Sequence, residues 1–127
     1  MYEQTLNALI RKRCRELGLH AFGMTTHKIP GGSISGPGPK GYPDWTIAGP
    51  GGVIFREAKA LSRRSREQMD WGKTLVEAGA NYAIWRPEDW ESGRIEAELV
   101  AIAGGIAGRS SAGQARPVSQ ARGLATA

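Results

Sequence analysis

Gly41-Tyr42-Pro43-Asp44-Trp45-Thr46-Ile47-Ala48, the turn Gly49-Pro50-Gly51-Gly52, and Val53-Ile54-Phe55-Arg56-Glu57-Ala58-Lys59 decide how this chain is read. Two alternating, β-branched and aromatic runs on either side of a Gly/Pro turn predict a β-hairpin. With a four-residue turn, Ala48 pairs with Val53 and Asp44 comes to face Glu57. Side chains alternate between the two sides of a strand, so Lys59 projects with Glu57, while Arg56 and Ala58 point the other way. The hairpin therefore gathers two carboxylates and one ammonium group on one side.

Such a gathering has a cost. Carboxylates directly across a strand pair repel each other and weaken the hairpin unless something lies between them. A divalent cation offsets that repulsion. Mg²⁺ takes oxygen ligands, commonly one or two carboxylates plus water and substrate phosphate oxygens, which Asp44 and Glu57 can supply. The metal would lower the pKa of a bound water, and Lys59 is placed to stabilise charge building on phosphoryl oxygens. The pattern points to phosphodiester chemistry.

Outward from the hairpin, Leu6, Leu9, Ile10, Cys14 and Leu17 fall at helical spacing, and Gly18 supplies a stop. Glu3 lies on the same side of this helix as Leu6, Ile10 and Cys14, and so points toward the core or a cleft. A short strand is expected between Leu19 and Thr26, followed by a long Gly/Pro-rich loop from Lys28 to Gly41. The loop lacks P-loop spacing, and Pro37 and Pro39 remove N–H donors that a phosphate cradle uses. Lys28 and Lys40 make it a candidate flap over a nucleic-acid backbone. His20 and His27 have no carboxylate partner at motif spacing.

After the hairpin, Ser65 and Gln68 stand in capping-box relation at the start of a second helix, with Gln68, Trp71, Leu75 and Ala78 along one face. Gly79 ends it. Asn81 to Arg86 reads as a buried strand closed by Pro87, Glu88 to Glu91 as a turn, and Ser92 as the cap of a final helix bearing Ile95, Leu99 and Ile102. Trp45, Trp71 and Trp85 are expected in the core, and Trp90, in its polar turn, is a candidate contact for DNA or a second subunit. Beyond Gly104 the chain is rich in Gly, Ala, Ser and Gln, with Arg109, Arg116 and Arg122 and no acid, a composition that predicts disorder.

The totals set bounds. A chain of 127 residues fits one domain, and 17 basic against 12 acidic residues give a formal charge of +5, which favours an anionic partner. Outside the tail the basic signal is local: Lys40, Arg63, Arg64, Arg66 and Lys73 are the candidate contacts for nucleic acid. The single Cys14 forms no internal disulfide, and with His20 and His27 it falls short of a four-ligand zinc site. No apolar run approaches a membrane span, and no leader pattern opens the chain, so a cytoplasmic location is expected, the host cytoplasm if the source is a phage.

Pro43-Asp44, Glu57-Ala58-Lys59 and Gln68 together resemble the PD-(D/E)XK nuclease superfamily. The wider run from Gly41 through Ala78-Gly79 to Trp85-Arg86-Pro87-Glu88-Asp89 is similar to the VRR-type nuclease domain, although the VRR triplet itself is absent. The resemblance covers about Glu3 to Trp90. It implies an α/β fold: a small restriction-endonuclease-like core with a central mixed β-sheet flanked by helices, in the order α-β-β-β-α-β, over residues 1–103, with 104–127 as tail. It implies Asp44 and Glu57 as metal ligands with the Ala58 carbonyl, Lys59 as catalytic lysine, Gln68 near the site and Glu3 as the acid of the first helix. The implied cofactor is Mg²⁺, with Mn²⁺ as substitute. The implied activity is metal-dependent DNA endonuclease action on branched DNA or Holliday junctions. Symmetric cutting of two strands needs two sites, hence a homodimer. The alternatives are a non-catalytic DNA-binding protein of the same fold and a nuclease acting on other DNA or RNA.

Overall fold

In the computed structural model, which describes residues 1–23, 26–29, 32–35 and 39–104, the hairpin lies at the centre of a sheet. Helix α1 (Glu3–Glu16) is followed by strands β1 (His20–Gly23), β2 (Thr26–Ile29), β3 (Gly32–Ser35), β4 (Trp45–Gly49) and β5 (Gly52–Ala58). Helix α2 (Arg66–Glu77), strand β6 (Tyr82–Trp85) and helices α3 (Pro87–Glu91) and α4 (Arg94–Ile102) complete the order. The main sheet runs β1-β4-β5-β6, antiparallel through β1, β4 and β5, with β6 parallel to β5. A parallel neighbour needs a crossover, and α2 supplies it. The protein is thus an α/β fold built on a four-stranded mixed sheet.

Ala48 pairs with Val53 and Trp45 with Arg56, as the sequence predicts. The turn is tighter than expected, because Gly49 and Gly52 also pair and only Pro50 and Gly51 are left between the strands. Shortening by one residue on each side leaves the register unchanged. The main-chain N–H of Gly51 donates to the Ile102 carbonyl at 2.8 Å, which ties the turn to the end of α4.

Alternation then sorts the side chains. Trp45, Ile47, Ile54, Ala58 and Trp85 form one buried side of the sheet and pack with Leu6, Ile10 and Cys14 of α1 and Ile95, Leu99 and Ile102 of α4. The stripe on α4 is therefore core. Trp90 also packs against this core. Its polar neighbours predicted a turn, but Pro87 opens a short helix, and the Asp89 carboxylate accepts the Arg86 N–H at 2.8 Å. The turn of helix swings Trp90 inward. Gly93, with φ of +87°, takes the N-cap position of α4 that Ser92 was expected to hold.

Where the sequence predicts one long loop after β1, strands β2 and β3 pair antiparallel as a separate ribbon. Glycine and proline dominate that segment, but Thr26-His27-Lys28-Ile29 and Gly32-Ser33-Ile34-Ser35 carry β-formers on either side of Pro30-Gly31. The Lys28 side chain and the tail from residue 105 onward lie outside the described residues. Among the described residues no helix is long and apolar enough to cross a membrane.

Helix α2 packs against β6, with Gly72 as its one fully buried residue. Trp71 is half-buried rather than part of the core, with its ring edge-on to Tyr42 at 5.1 Å between centroids.

Candidate active site

The site forms where β4 begins and β5 ends. Pro43 is fully buried, and Asp44 follows it just before the first residue of β4. One Asp44 oxygen, Oδ2, accepts the Ala58 N–H at 2.8 Å. Continued one step, the hairpin register sets Pro43 against Ala58, and proline has no N–H to give the Ala58 carbonyl. The ladder ends here, and the carboxylate takes over.

Glu57 is fully buried. Two donors approach its carboxylate, one per oxygen: Gln68 Nε2 at 3.4 Å from Oε1 and the Tyr82 hydroxyl at 3.4 Å from Oε2. Gln68 is held by the expected capping box, its Oε1 accepting the Ser65 N–H at 2.8 Å while its own N–H donates to Ser65 Oγ at 3.1 Å. Lys59 lies one residue past β5, yet its N–H donates to the Trp85 carbonyl at 2.9 Å. That bond continues the β5–β6 ladder, so alternation carries Lys59 to the same side as Glu57.

Burial pushes the Glu57 carboxyl up to about 7, and the negative charge of Asp44 pushes in the same direction. Lys59 opposes both, with lesser help from the Tyr82 hydroxyl and the Asp44 N–H. The Asp44 carboxyl is also raised, chiefly by burial, against the pull of the Ala58 N–H and the Lys59 charge. Lys59 thus stands close enough to act on both acids. Neither pairs with it tightly enough to cancel the cost of burial.

The structure brings Asp44, Glu57 and Lys59 together and sets Gln68 beside them. Glu3 is near enough for its charge to act on Asp44, but its hydrogen bonds go elsewhere. Its Oε2 accepts the Ala60 N–H at 3.2 Å and the Ser62 hydroxyl at 3.0 Å, and its charge is only a minor influence on Asp44. Among the described residues no three of His, Cys, Asp and Glu are grouped to hold an ion. A cation between Asp44 and Glu57 would need the Ala58 carbonyl and water to complete its shell.

Of the basic candidates, Lys40 is paired with Glu67 at 3.6 Å and Arg66 lies 3.9 Å from Asp70, both at the surface. Arg63 and Lys73 are exposed. Arg64 differs from the others: it is half-buried, and its Nη1 donates to the Tyr82 hydroxyl at 3.3 Å. Sequence reasoning missed Tyr82. Strand alternation puts it on one side of β6, but only the Phe55–Tyr82 and Glu57–Ile84 pairings place that side over Glu57.

Gly41 fixes the approach to Asp44. Its φ is +89°, and a Cβ there would lie 2.5 Å from the Glu67 main chain. Gly41→Ala should cost about 1–3 kcal/mol, read as a lower denaturant midpoint, because left-handed backbone and a main-chain clash add.

No protein-family model, curated protein or solved structure matches the chain.

Proposed function

We propose that the chain is a metal-dependent endonuclease that hydrolyses phosphodiester bonds in DNA, with the restriction-endonuclease-like arrangement of the PD-(D/E)XK enzymes. The observation that carries this reading is the fully buried Glu57 carboxylate beside the half-buried Asp44 on one side of the sheet, with Lys59 close to both. Both acids are raised from their ordinary values, chiefly by burial, and neighbouring acids withdrawn from water are costly unless a positive charge joins them. Their donor set fits a hard divalent cation. Asp44, Glu57 and the Ala58 carbonyl would hold it, all three oxygen donors.

A bound Mg²⁺ or Mn²⁺ would supply Lewis-acid stabilisation of the phosphoryl group and a more acidic water. Lys59 contributes a fixed positive charge where negative charge develops on the phosphoryl oxygens. Gln68 holds the Glu57 carboxylate from the start of α2. The exposed Arg63 and Lys73 offer salt-dependent contacts to backbone phosphates without reading sequence. Branched DNA is the favoured substrate, and a two-fold dimer would set two sites for paired cuts.

The test is incubation with four-way junction, flap, duplex and single-stranded DNA in Mg²⁺, Mn²⁺ or EDTA. Lys59→Ala should lower the cleavage rate by about 10²–10³-fold while DNA binding persists. Binding without cleavage in every metal would leave a DNA-binding protein and end the enzyme reading. Paired symmetric nicks confined to the junction would identify a resolvase.

A further inference from the structure

We infer that Tyr82 is a positioning residue for the Glu57 carboxylate, held in place by Gly72 and engaged from its other side by Arg64. The inference rests on the metal-dependent reading above and adds to it a residue that no motif supplies.

The geometry is local and specific. The Tyr82 hydroxyl lies 3.4 Å from Glu57 Oε2 and receives the Arg64 Nη1 donor at 3.3 Å. Arg64 donates to the phenol oxygen, so the phenol proton is free to point at the carboxylate. A tyrosine phenol holds that proton at neutral pH. With Gln68 on Oε1 and Tyr82 on Oε2, both oxygens of Glu57 are braced and the carboxylate plane is fixed. Hydrogen bonds from outside a metal shell act in this way, orienting the ligand before the ion arrives.

Gly72 gives the arrangement its second support. A Cβ at this position would fall 2.7 Å from Tyr82 Cε2 and Cζ and 2.8 Å from the hydroxyl. Absence of that carbon lets α2 press against the hydroxyl end of the ring. A methyl group here would press on the ring carbons next to the hydroxyl, so a ring that yields carries with it the donor to Glu57. Glycine in the interior of a helix is otherwise unfavourable by about 0.5–1 kcal/mol relative to alanine. At this position the close approach of Tyr82 leaves no room for a Cβ.

The experiment compares Tyr82→Phe and Gly72→Ala with the unaltered protein by calorimetric titration of Mn²⁺, by steady-state cleavage kinetics and by thermal midpoint. Tyr82→Phe keeps the ring and should weaken Mn²⁺ binding by about 10- to 100-fold, with a similar fall in kcat and an unchanged KM for DNA. Gly72→Ala removes no functional group and should shift Mn²⁺ binding and kcat the same way, in a protein that stays folded, the helix gain offsetting part of the cost of the contact. Unaltered Mn²⁺ affinity and kcat in both variants would overturn the inference. If the unaltered protein neither binds Mn²⁺ nor cuts DNA, the functional reading fails first and takes this inference with it.

Discussion

Glu57→Gln should abolish metal-dependent cleavage and, in the absence of metal, make the protein more stable near neutral pH. The two effects share one cause. Glu57 is fully buried, and its carboxyl is pushed up to about 7 by burial and by Asp44. An acid whose pKa is higher folded than unfolded favours the folded state while it is protonated. That contribution is complete below the ordinary glutamate value of 4.5 and is lost as pH rises through about 7. A shift of this size corresponds to about 3 kcal/mol, to be taken as an order of magnitude.

Asp44, also raised, acts in the same sense. Glu96 and Glu98 are lowered, Glu96 first by its hydrogen bond from Arg13 and Glu98, against its burial, by donors led by Trp85. Their contribution is present above the ordinary glutamate value and disappears on acidification, outside the window set by Glu57. Urea unfolding in EDTA at about pH 5 and about pH 8 should therefore show the unaltered protein losing stability at the higher pH, with Glu57→Gln much flatter. A glutamine variant with the same pH slope would contradict the assignment of the buried charge to Glu57.

Arg56→Met should destabilise the fold by about 3–5 kcal/mol without touching the site chemistry. Arg56 is 4% exposed and lies on the core side of β5. It donates to Glu98 Oε1 at 3.1 Å, to the carbonyls of Phe55 and Asn81 at 2.9 and 2.8 Å, and to Asn81 Oδ1 at 3.0 Å. Its guanidinium also stands 5.5 Å from the centre of the Trp85 ring. Truncation removes these donors, leaving the Asn81 carbonyl with the Phe55 N–H at 2.8 Å and Glu98 with the Trp85 indole at 2.8 Å and Arg94 at 2.9 Å. The penalty comes from the lost bonds and from the part of the Glu98 charge that Arg56 balanced, so Arg56→Met combined with Glu98→Leu should recover part of the loss. Denaturant midpoints measure both. A loss below about 1 kcal/mol for the single variant would place Arg56 among weakly coupled surface charges.

The hairpin register was legible in the sequence because turn residues and alternation specify it locally. The tighter turn changed nothing, since one residue was gained by each strand. The Ser65–Gln68 cap was legible for the same reason: both partners lie within one turn of helix. Arrangements that depend on distant segments were not. Tyr82 reaches Glu57 through a parallel register set across the α2 crossover, and no local pattern encodes that register. Arg64 looked like part of a basic run until its hydroxyl partner was in place. Trp90 misled because its acidic neighbours resembled a solvated turn, while Pro87 at the start of a helix was the better signal. The β2–β3 ribbon was hidden by the weight given to glycine and proline over the short β-branched runs between them.

Single-turnover cleavage of an end-labelled four-way junction tests the central claim most directly. The unaltered protein and Glu57→Gln would be compared in saturating Mg²⁺ and in EDTA, with junction binding measured alongside. Cleavage by the unaltered protein in Mg²⁺ alone, and none by a Glu57→Gln variant that still binds the junction, is the predicted result. Equal rates in the two proteins, or cleavage that persists in EDTA, would contradict a metal-dependent site built on Asp44, Glu57 and Lys59.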